Sequence, residues 1–311
     1  MTARVFARIA KQFGQRISPT LLFEAPTIEQ LAGLLGSGTE SDGWSCLVPV
    51  QTRGSKPPLF CIHGGAGTIL FFHDLAKHLG SDRPLYALQA QGLYGEAPPH
   101  TRVEEMAEHY LREIRTIQET GPYCLVGYCF GIIVAYEIAQ RLREEGQEVA
   151  PLMSLNGPCP KYVNGPGADQ PVQPDGWRGI RRRAMSFLRR QQRKLDRARG
   201  RYCLSRKRPL PAGLRDRYFL MNNYRAEHLY SPKPYPGKMT IFRAKGLYYD
   251  PLLGWDELVQ GGIEAHEIPG EHRDHRSMME EPIVPVLARK MMVKLEALES
   301  SRARGAAEWA I

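Results

Sequence analysis

Apolar and polar positions follow two different periods along this chain, and the change of period divides it. Up to residue 36 the spacing is helical: Val5, Phe6, Ile9 and Phe13 fall on one helix face. Ser18-Pro19 interrupts that face, and Pro26-Thr27-Ile28-Glu29 predicts a second short helix ending near Gly36. Residues 37–46 are small, polar and glycine-containing, which predicts a linker. From Leu47 short apolar runs alternate with helical stretches. Strands are predicted at Leu59–Ile62, Leu85–Leu88, Tyr123–Gly127, Pro151–Leu155, Met239–Arg243 and Ile263–Ile268, and amphipathic helices over 103–118, 131–145 and 283–298. Such alternation predicts an α/β fold: a mostly parallel central sheet with helices on both faces. Residues 158–232 hold no strand and read as a partly helical insertion between two strands, and the tail 299–311 is expected to fray.

Composition narrows the class. A chain of 311 residues, 42% hydrophobic and 24% charged, has the balance of a globular protein and room for one large domain with a small appendage. No apolar run approaches the roughly 20 residues that cross a bilayer, so no membrane partner is expected. Arg4, Arg8 and Lys11 are not followed by a continuous apolar segment, so the N-terminus does not read as a signal peptide. Six cysteines without paired metal-ligand spacing point to neither a disulfide framework nor a metal site, and a reducing, cytoplasmic setting is expected. The net charge of +9 is concentrated: between Trp177 and Arg208 fourteen Lys or Arg face a single acid, Asp196. No nucleic-acid motif accompanies this block, so nucleic acid is not expected as a partner.

The chemistry concentrates at Gly127-Tyr128-Cys129-Phe130-Gly131, between a predicted strand and a predicted helix. This is the G-x-S-x-G nucleophile elbow with Cys in the serine position. A sharp strand-to-helix turn strains the backbone at the nucleophile and requires small neighbours, and the helix N-terminus favours developing negative charge. The same environment is expected to lower the thiol pKa and leave Cys129 partly thiolate near neutral pH. Cys61 and Cys124 lie within strands and read as core. After the first well-defined strand comes His63-Gly64-Gly65-Ala66-Gly67, a glycine-rich turn suited to presenting amides to a substrate carbonyl. The backbone N–H groups of Ala66 and Phe130 are the expected oxyanion hole.

With these motifs in place, the chain closely resembles the terminal thioesterase domains of nonribosomal peptide synthetases and polyketide synthases. The matching segments are Pro57–Gly65, Leu88–Leu93, Val103–Ala107, Gly121-Pro122-Tyr123 leading into the elbow, Tyr235-Pro236-Gly237-Lys238, Gly254-Trp255 and Glu281-Pro282. The resemblance implies an α/β-hydrolase fold over 47–298 with a helical lid at 158–232. Residues 1–36 resemble the C-terminal part of a phosphopantetheine carrier domain, through Phe23-Glu24-Ala25-Pro26-Thr27-Ile28 and Leu31-Ala32. The family's modifiable serine would fall before Met1, so these residues are not expected to carry the arm.

The resemblance also implies a histidine late in the chain as base. His266 falls within the last predicted strand and reads as structural. His272 follows Pro269-Gly270-Glu271, while His275 stands at the family's spacing from Glu281-Pro282; His275 is preferred and His272 kept open. Where the family has Asp after the strand that follows the nucleophile helix, this chain has Asn156, which implies a Cys–His–Asn set. Asp250, after the next strand, is the alternative orienter. The implied activity is release of an acyl or peptidyl chain from a carrier through an S-acyl-Cys129 intermediate, by hydrolysis or by closure of a strained lactone or lactam. The alternatives are an acyltransferase and a non-catalytic carrier-docking module. The expected partner is an acyl or peptidyl carrier protein or upstream synthetase modules. Phosphopantetheine belongs to the substrate, and no cofactor of the domain itself is expected. The basic block reads either as a solvated helix face or as a dock for an acidic carrier or its phosphate.

Overall fold

A computed structural model describes residues 9, 12, 25, 27–36, 45–94, 96–160, 192, 194–206, 210–246, 250–270 and 275–308; at 34–36, 212, 275 and 301–308 it describes the backbone only. Of the N-terminal helices, α1 (Ile28–Gly36) is described. Thr27 and Gln30 cap it reciprocally: the Gln30 amide donates to Thr27 Oγ1 and the Thr27 amide to Gln30 Oε1, both at 3.2 Å. Most of the remaining carrier-like stretch and most of the linker lie outside the described residues.

Seven strands form one sheet in the order β1-β3-β2-β4-β5-β6-β7. They are β1 (Leu47–Gln51), β2 (Leu59–Ile62), β3 (Leu85–Leu88), β4 (Tyr123–Tyr128), β5 (Val149–Leu155), β6 (Met239–Ala244) and β7 (Ile263–Ile268). β1 runs antiparallel to β3, and every other pairing is parallel. The mostly parallel sheet with helices on both faces follows the α/β pattern of the sequence. Its first strand did not, because Leu47-Val48-Pro49-Val50-Gln51 is short and holds a proline, and an edge position is where a proline is tolerated. Glu113 of α3 (Val103–Arg115) secures that edge by accepting from Ser45 Oγ at 2.7 Å and from the amides of Cys46 and Leu47.

Strand alternation sorts the core into two layers. Phe60 and Ile62 of β2 and Tyr123 and Leu125 of β4 face α3 and α4 (Gly131–Glu144), with Tyr110, Ile133 and Ile138. Leu59, Cys61, Cys124 and Val126 face the other way, against α2 (Phe72–Leu79) and α6 (Val284–Glu308), with Phe72, Leu75, Leu287 and Met291. Cys61 and Cys124 are therefore core, as expected. Helix α2 was not predicted, although Phe72, Leu75, Ala76 and Leu79 fall at i, i+3, i+4 and i+7. Helix α6 continues nine residues past Glu299, where fraying was expected. Glu299 pairs with the buried Arg83, which holds the helix down beyond the predicted end.

Between β5 and β6, residues 161–191 lie outside the described residues; residues 194–205 are helical, and α5 spans Ala212–Leu229. Asp196, 2% exposed, joins these two helices by accepting from Arg217 Nε at 2.9 Å and Gln192 Nε2 at 3.0 Å. Leu210, Leu214 and Phe219 seat α5 on Ala90 and Leu93 beyond β3.

The turn from β4 into α4 depends on close backbone approach. A Cβ on Gly131 would lie 2.4 Å from the His63 carbonyl oxygen and 2.5 Å from that of Ile62, and one on Gly127 would lie 2.2 Å from Ile132 Cα. Backbone cannot yield as a flexible side chain does. Gly131→Ala should therefore lower unfolding free energy by about 1–3 kcal/mol, the range of overpacked cores, as read by urea denaturation. A midpoint indistinguishable from wild type would contradict this packing.

Candidate active site

Cys129 occupies the tip of the β4–α4 turn with φ 50°, a left-handed conformation that a non-glycine residue adopts at a cost. Its amide donates to the Leu155 carbonyl at 2.9 Å, which fixes the elbow to the end of β5. The residue is half-buried, and the backbone amides of Phe130 and Gly65 favour its ionised form. Phe130 is the N-cap of α4. Ala66, the loop residue expected to offer its amide, is half-buried one position beyond Gly65. The Gly67 amide returns to the Gly64 carbonyl at 2.9 Å, which closes this loop into a tight turn.

The expected partly ionised thiol is not what these surroundings favour. Burial pushes the Cys129 thiol up to about 11, with the ionised form further opposed by the Glu227 carboxyl; the two amides pull the other way and are outweighed. Desolvation is felt by the whole sulfur, while each amide supplies one hydrogen bond. Burial therefore favours the protonated thiol in the described surroundings.

His63 supports the loop. It is fully buried, and its Nδ1 lies 2.7 Å from the Gly64 carbonyl, so Nδ1 carries the proton and Nε2 accepts from the Tyr110 hydroxyl at 2.8 Å. Burial lowers its pKa to about 4, so it stays neutral. Asn223 of α5 braces the same loop from the other side, its Nδ2 donating to the Gly65 carbonyl at 2.9 Å. Sequence reading missed both residues; His63, directly ahead of the glycines, was the available signal.

Asn156 ends β5 beside the elbow. It is fully buried, has φ 57°, and its Oδ1 accepts from the Ala244 amide at 2.8 Å at the end of β6. A carbonyl oxygen has two lone pairs, so Oδ1 can take a second N–H. Ser154 Oγ and Trp255 Nε1 both donate to the Gly157 carbonyl, at 3.1 and 2.9 Å, and lock this turn. Asp250 is differently employed. Its two oxygens accept from the amides of Leu252 at 2.9 Å and Gly254 at 2.6 Å, capping the turn that places Leu253 and Trp255 in the core.

His266 lies on β7, stacked on Phe242 with ring centroids 5.2 Å apart, and its Nε2 is 2.8 Å from Glu264. That is the structural role expected of it. His275 opens the 3₁₀ helix His275–Met279, whose Met278 and Met279 pack in the cluster that Cys129 also touches. Its side chain lies outside the described residues, as does all of His272. Among the described residues one trio of metal-ligand types converges, Cys46, His109 and Glu113. Its carboxylate is the anchor of β1 already described. No described helix is long and apolar enough to cross a membrane.

A parallel sheet with one antiparallel edge strand, helices on both faces and a strained turn carrying a thiol at the C-terminal strand ends define an α/β-hydrolase fold. The chain belongs to the thioesterase domain family, whose model matches residues 57–289, and a phosphopantetheine attachment site model matches residues 1–35. It is 32% identical to malpinin synthetase of Mortierella alpina over 282 residues, 88% of this chain and 3% of that one. It is 29% identical to a dimodular nonribosomal peptide synthase of Bacillus subtilis over 96% of this chain and 13% of that one. The chain thus spans a small part of the length of these relatives. A holo four-domain nonribosomal peptide synthetase bound to AMP and glycine superposes on 93% of this chain and 23% of its own with TM-score 0.63 and 25% identity.

Only thiolate is alkylated efficiently. In a His275→Ala variant, iodoacetamide labelling of Cys129, followed by peptide mass spectrometry, should climb about tenfold per pH unit from neutrality toward pH 10. A plateau below pH 9 would mean that the amides and helix N-terminus overcome burial.

Proposed function

We propose that this thioesterase domain releases an acyl or peptidyl chain from a phosphopantetheine carrier through an S-acyl-Cys129 intermediate. The observation that carries the reading is Cys129 itself: a half-buried thiol held at φ 50° in a strained strand-to-helix turn directly ahead of helix α4. His275 takes the thiol proton as sulfur attacks the carrier thioester carbonyl, which suits a thiol that rests protonated. The amide of Phe130 and that of Gly65, or Ala66 beside it, receive the charge on the carbonyl oxygen. The bond to the pantetheine sulfur breaks, and His275 returns the proton to it. Asn156 orients His275 by accepting an imidazole N–H at Oδ1.

A second nucleophile then attacks the new thioester. A serine enzyme would hold the chain as an oxygen ester, whereas Cys129 keeps it as an activated thioester. That favours closing a strained lactone or lactam on the chain itself, with hydrolysis as the competing exit. Comparison of wild type with Cys129→Ser on one carrier-bound substrate tests this: the serine variant should shift the products toward hydrolysis, and an identical distribution would remove any special role for sulfur. Asn156→Ala should lower kcat about tenfold or more, with Asp250→Ala near wild type once its stability loss is allowed for. The reverse order would transfer the orienting role to Asp250. His272→Ala, if it alone abolished turnover, would replace His275 as base.

The partner under this reading is an acyl or peptidyl carrier, within the same synthetase or separate. Arg181, Arg182 and Arg183 of the basic block lie outside the described residues. Arg197 and Arg201 line a cavity of about 140 Å³ with Arg225, Tyr218, Asn222 and Thr101. Three guanidinium groups around one cavity suit a phosphate. Charge reversal at Arg197 and Arg201 should raise KM for carrier-bound substrate several-fold and leave KM for an N-acetylcysteamine thioester unchanged. Equal effects on both substrates would place this cavity outside carrier docking.

A further inference from the structure

Helix α3 carries His109 and Glu113 at i and i+4, so both stand on one face, and the chain entering β1 brings Cys46 against them. Cys46 Sγ, a ring nitrogen of His109 and a carboxylate oxygen of Glu113 all lie within 4.8 Å of one another. His109 Nε2 is 3.1 Å from Glu113 Oε1. A tetrahedral zinc ion, bonded at about 2.0 Å to nitrogen and oxygen and about 2.3 Å to sulfur, sets its ligand atoms roughly 3.3–3.6 Å apart, within about an ångström of this arrangement. Cys46 is 4% exposed, while the side chains of His109 and Glu113 are 22% and 18% exposed, so the sulfur forms the floor of the site and the other two groups face an approach from solvent. The groups that orient metal ligands are built as well. His109 Nδ1 is 3.3 Å from His100 Nε2. Burial, then the charge of His109, lowers the His100 pKa to about 4, so His100 is a neutral ring able to accept from Nδ1–H. Asn222 of α5 fixes His100 by donating to its carbonyl at 2.7 Å. Glu113 Oε2 accepts from Ser45 Oγ at 2.7 Å and from the Leu47 amide, which leaves Oε1 to face His109.

We propose that Cys46, His109 and Glu113 form a zinc site, with water as the fourth ligand. A thiolate beside an imidazole and a carboxylate is a donor set for zinc, whereas magnesium and calcium require oxygen ligands. The three residues come from two elements far apart in the chain, so paired-cysteine spacing gives no sign of the site. When the ion binds, the Cys46 thiol releases its proton to solvent and the sulfur bonds to the metal. His109 shifts its proton from Nε2 to Nδ1, where His100 accepts it in a hydrogen bond, and Nε2 takes the ion. Glu113 Oε1 exchanges the His109 N–H for the metal, so one proton leaves in all and no acceptor loses its partner. Burial, then the neighbouring Glu113 carboxylate, holds the Cys46 thiol well above its ordinary range, and a dication offsets both costs. The bound ion would tie the segment leading into β1 to helix α3. Strands β3 and β2 separate β1 from β4, so this site is distinct from the turn at Cys129 and does not depend on the S-acyl-Cys129 reading.

The test uses the full chain without an affinity tag, stripped with a chelator and kept reduced with a phosphine, since thiol reductants bind zinc. After incubation with zinc chloride and gel filtration, elemental analysis should find about one zinc per chain. Cobalt(II) chloride should give the near-ultraviolet charge-transfer band of a thiolate ligand, and Cys46→Ser should remove that band. In competition with a chromogenic chelator, His109→Gln should weaken zinc binding about a hundredfold or more and His100→Ala about tenfold, while Cys203→Ser binds as wild type. Zinc should raise the Tm of wild type by several degrees and leave that of His109→Gln unchanged. Retention of no zinc by wild type overturns the proposal. So does cobalt binding without a thiolate band, or zinc uptake by Cys46→Ser and His109→Gln equal to wild type. The wild-type cobalt spectrum with its Cys203→Ser control reads the sulfur ligand directly, so the test stands even if far-ultraviolet circular dichroism shows the Cys46 variant misfolded.

Discussion

The backbone of the β4–α4 turn meets the end of β2 at a distance that only glycine permits. Gly131 lies against the carbonyls of Ile62 and His63, and Gly127 against Ile132. That contact forces the chain to reverse within one residue and puts Cys129 at φ 50° with its side chain clear of the sheet. The same contact brings the residues after β2 alongside the start of α4, so the amides of Gly65 and Phe130 both favour ionisation of the one thiol. Relaxing the turn would lose the strained Cys129 position and that pairing together.

Around that turn, buried polar groups are matched one by one. The neutral His63 holds the Gly64 carbonyl and receives Tyr110, while Asn223 holds the next carbonyl. Asn156 binds the end of β6, and Ser154 and Trp255 close the turn behind it. These bonds fix loops that would otherwise move, which is what a preorganised acyl-transfer site requires. Glu227 on α5 is 4% exposed, and burial raises its carboxyl pKa to about 7.

Burial dominates the electrostatics here. Both Cys129 and Glu227 are held toward their protonated forms by desolvation, against a helix N-terminus and two amides in the case of the thiol.

The α/β fold, the elbow at Cys129, the core roles of Cys61 and Cys124 and the glycine loop at 63–67 were legible in the sequence. Each rests on local spacing, such as period-two strands, helical repeats and glycines at a turn. Three features were not legible. The edge strand β1 depends on Glu113, far away in sequence; the held end of α6 depends on Arg83. The raised thiol pKa depends on how much protein surrounds the sulfur, and the helix-terminus rule contains no measure of that. Residue types and order along the chain are enough to put a thiol in its strand-to-helix setting. How strongly its surroundings oppose ionisation is set by through-space distance and desolvation, and these exist only once the chain has folded.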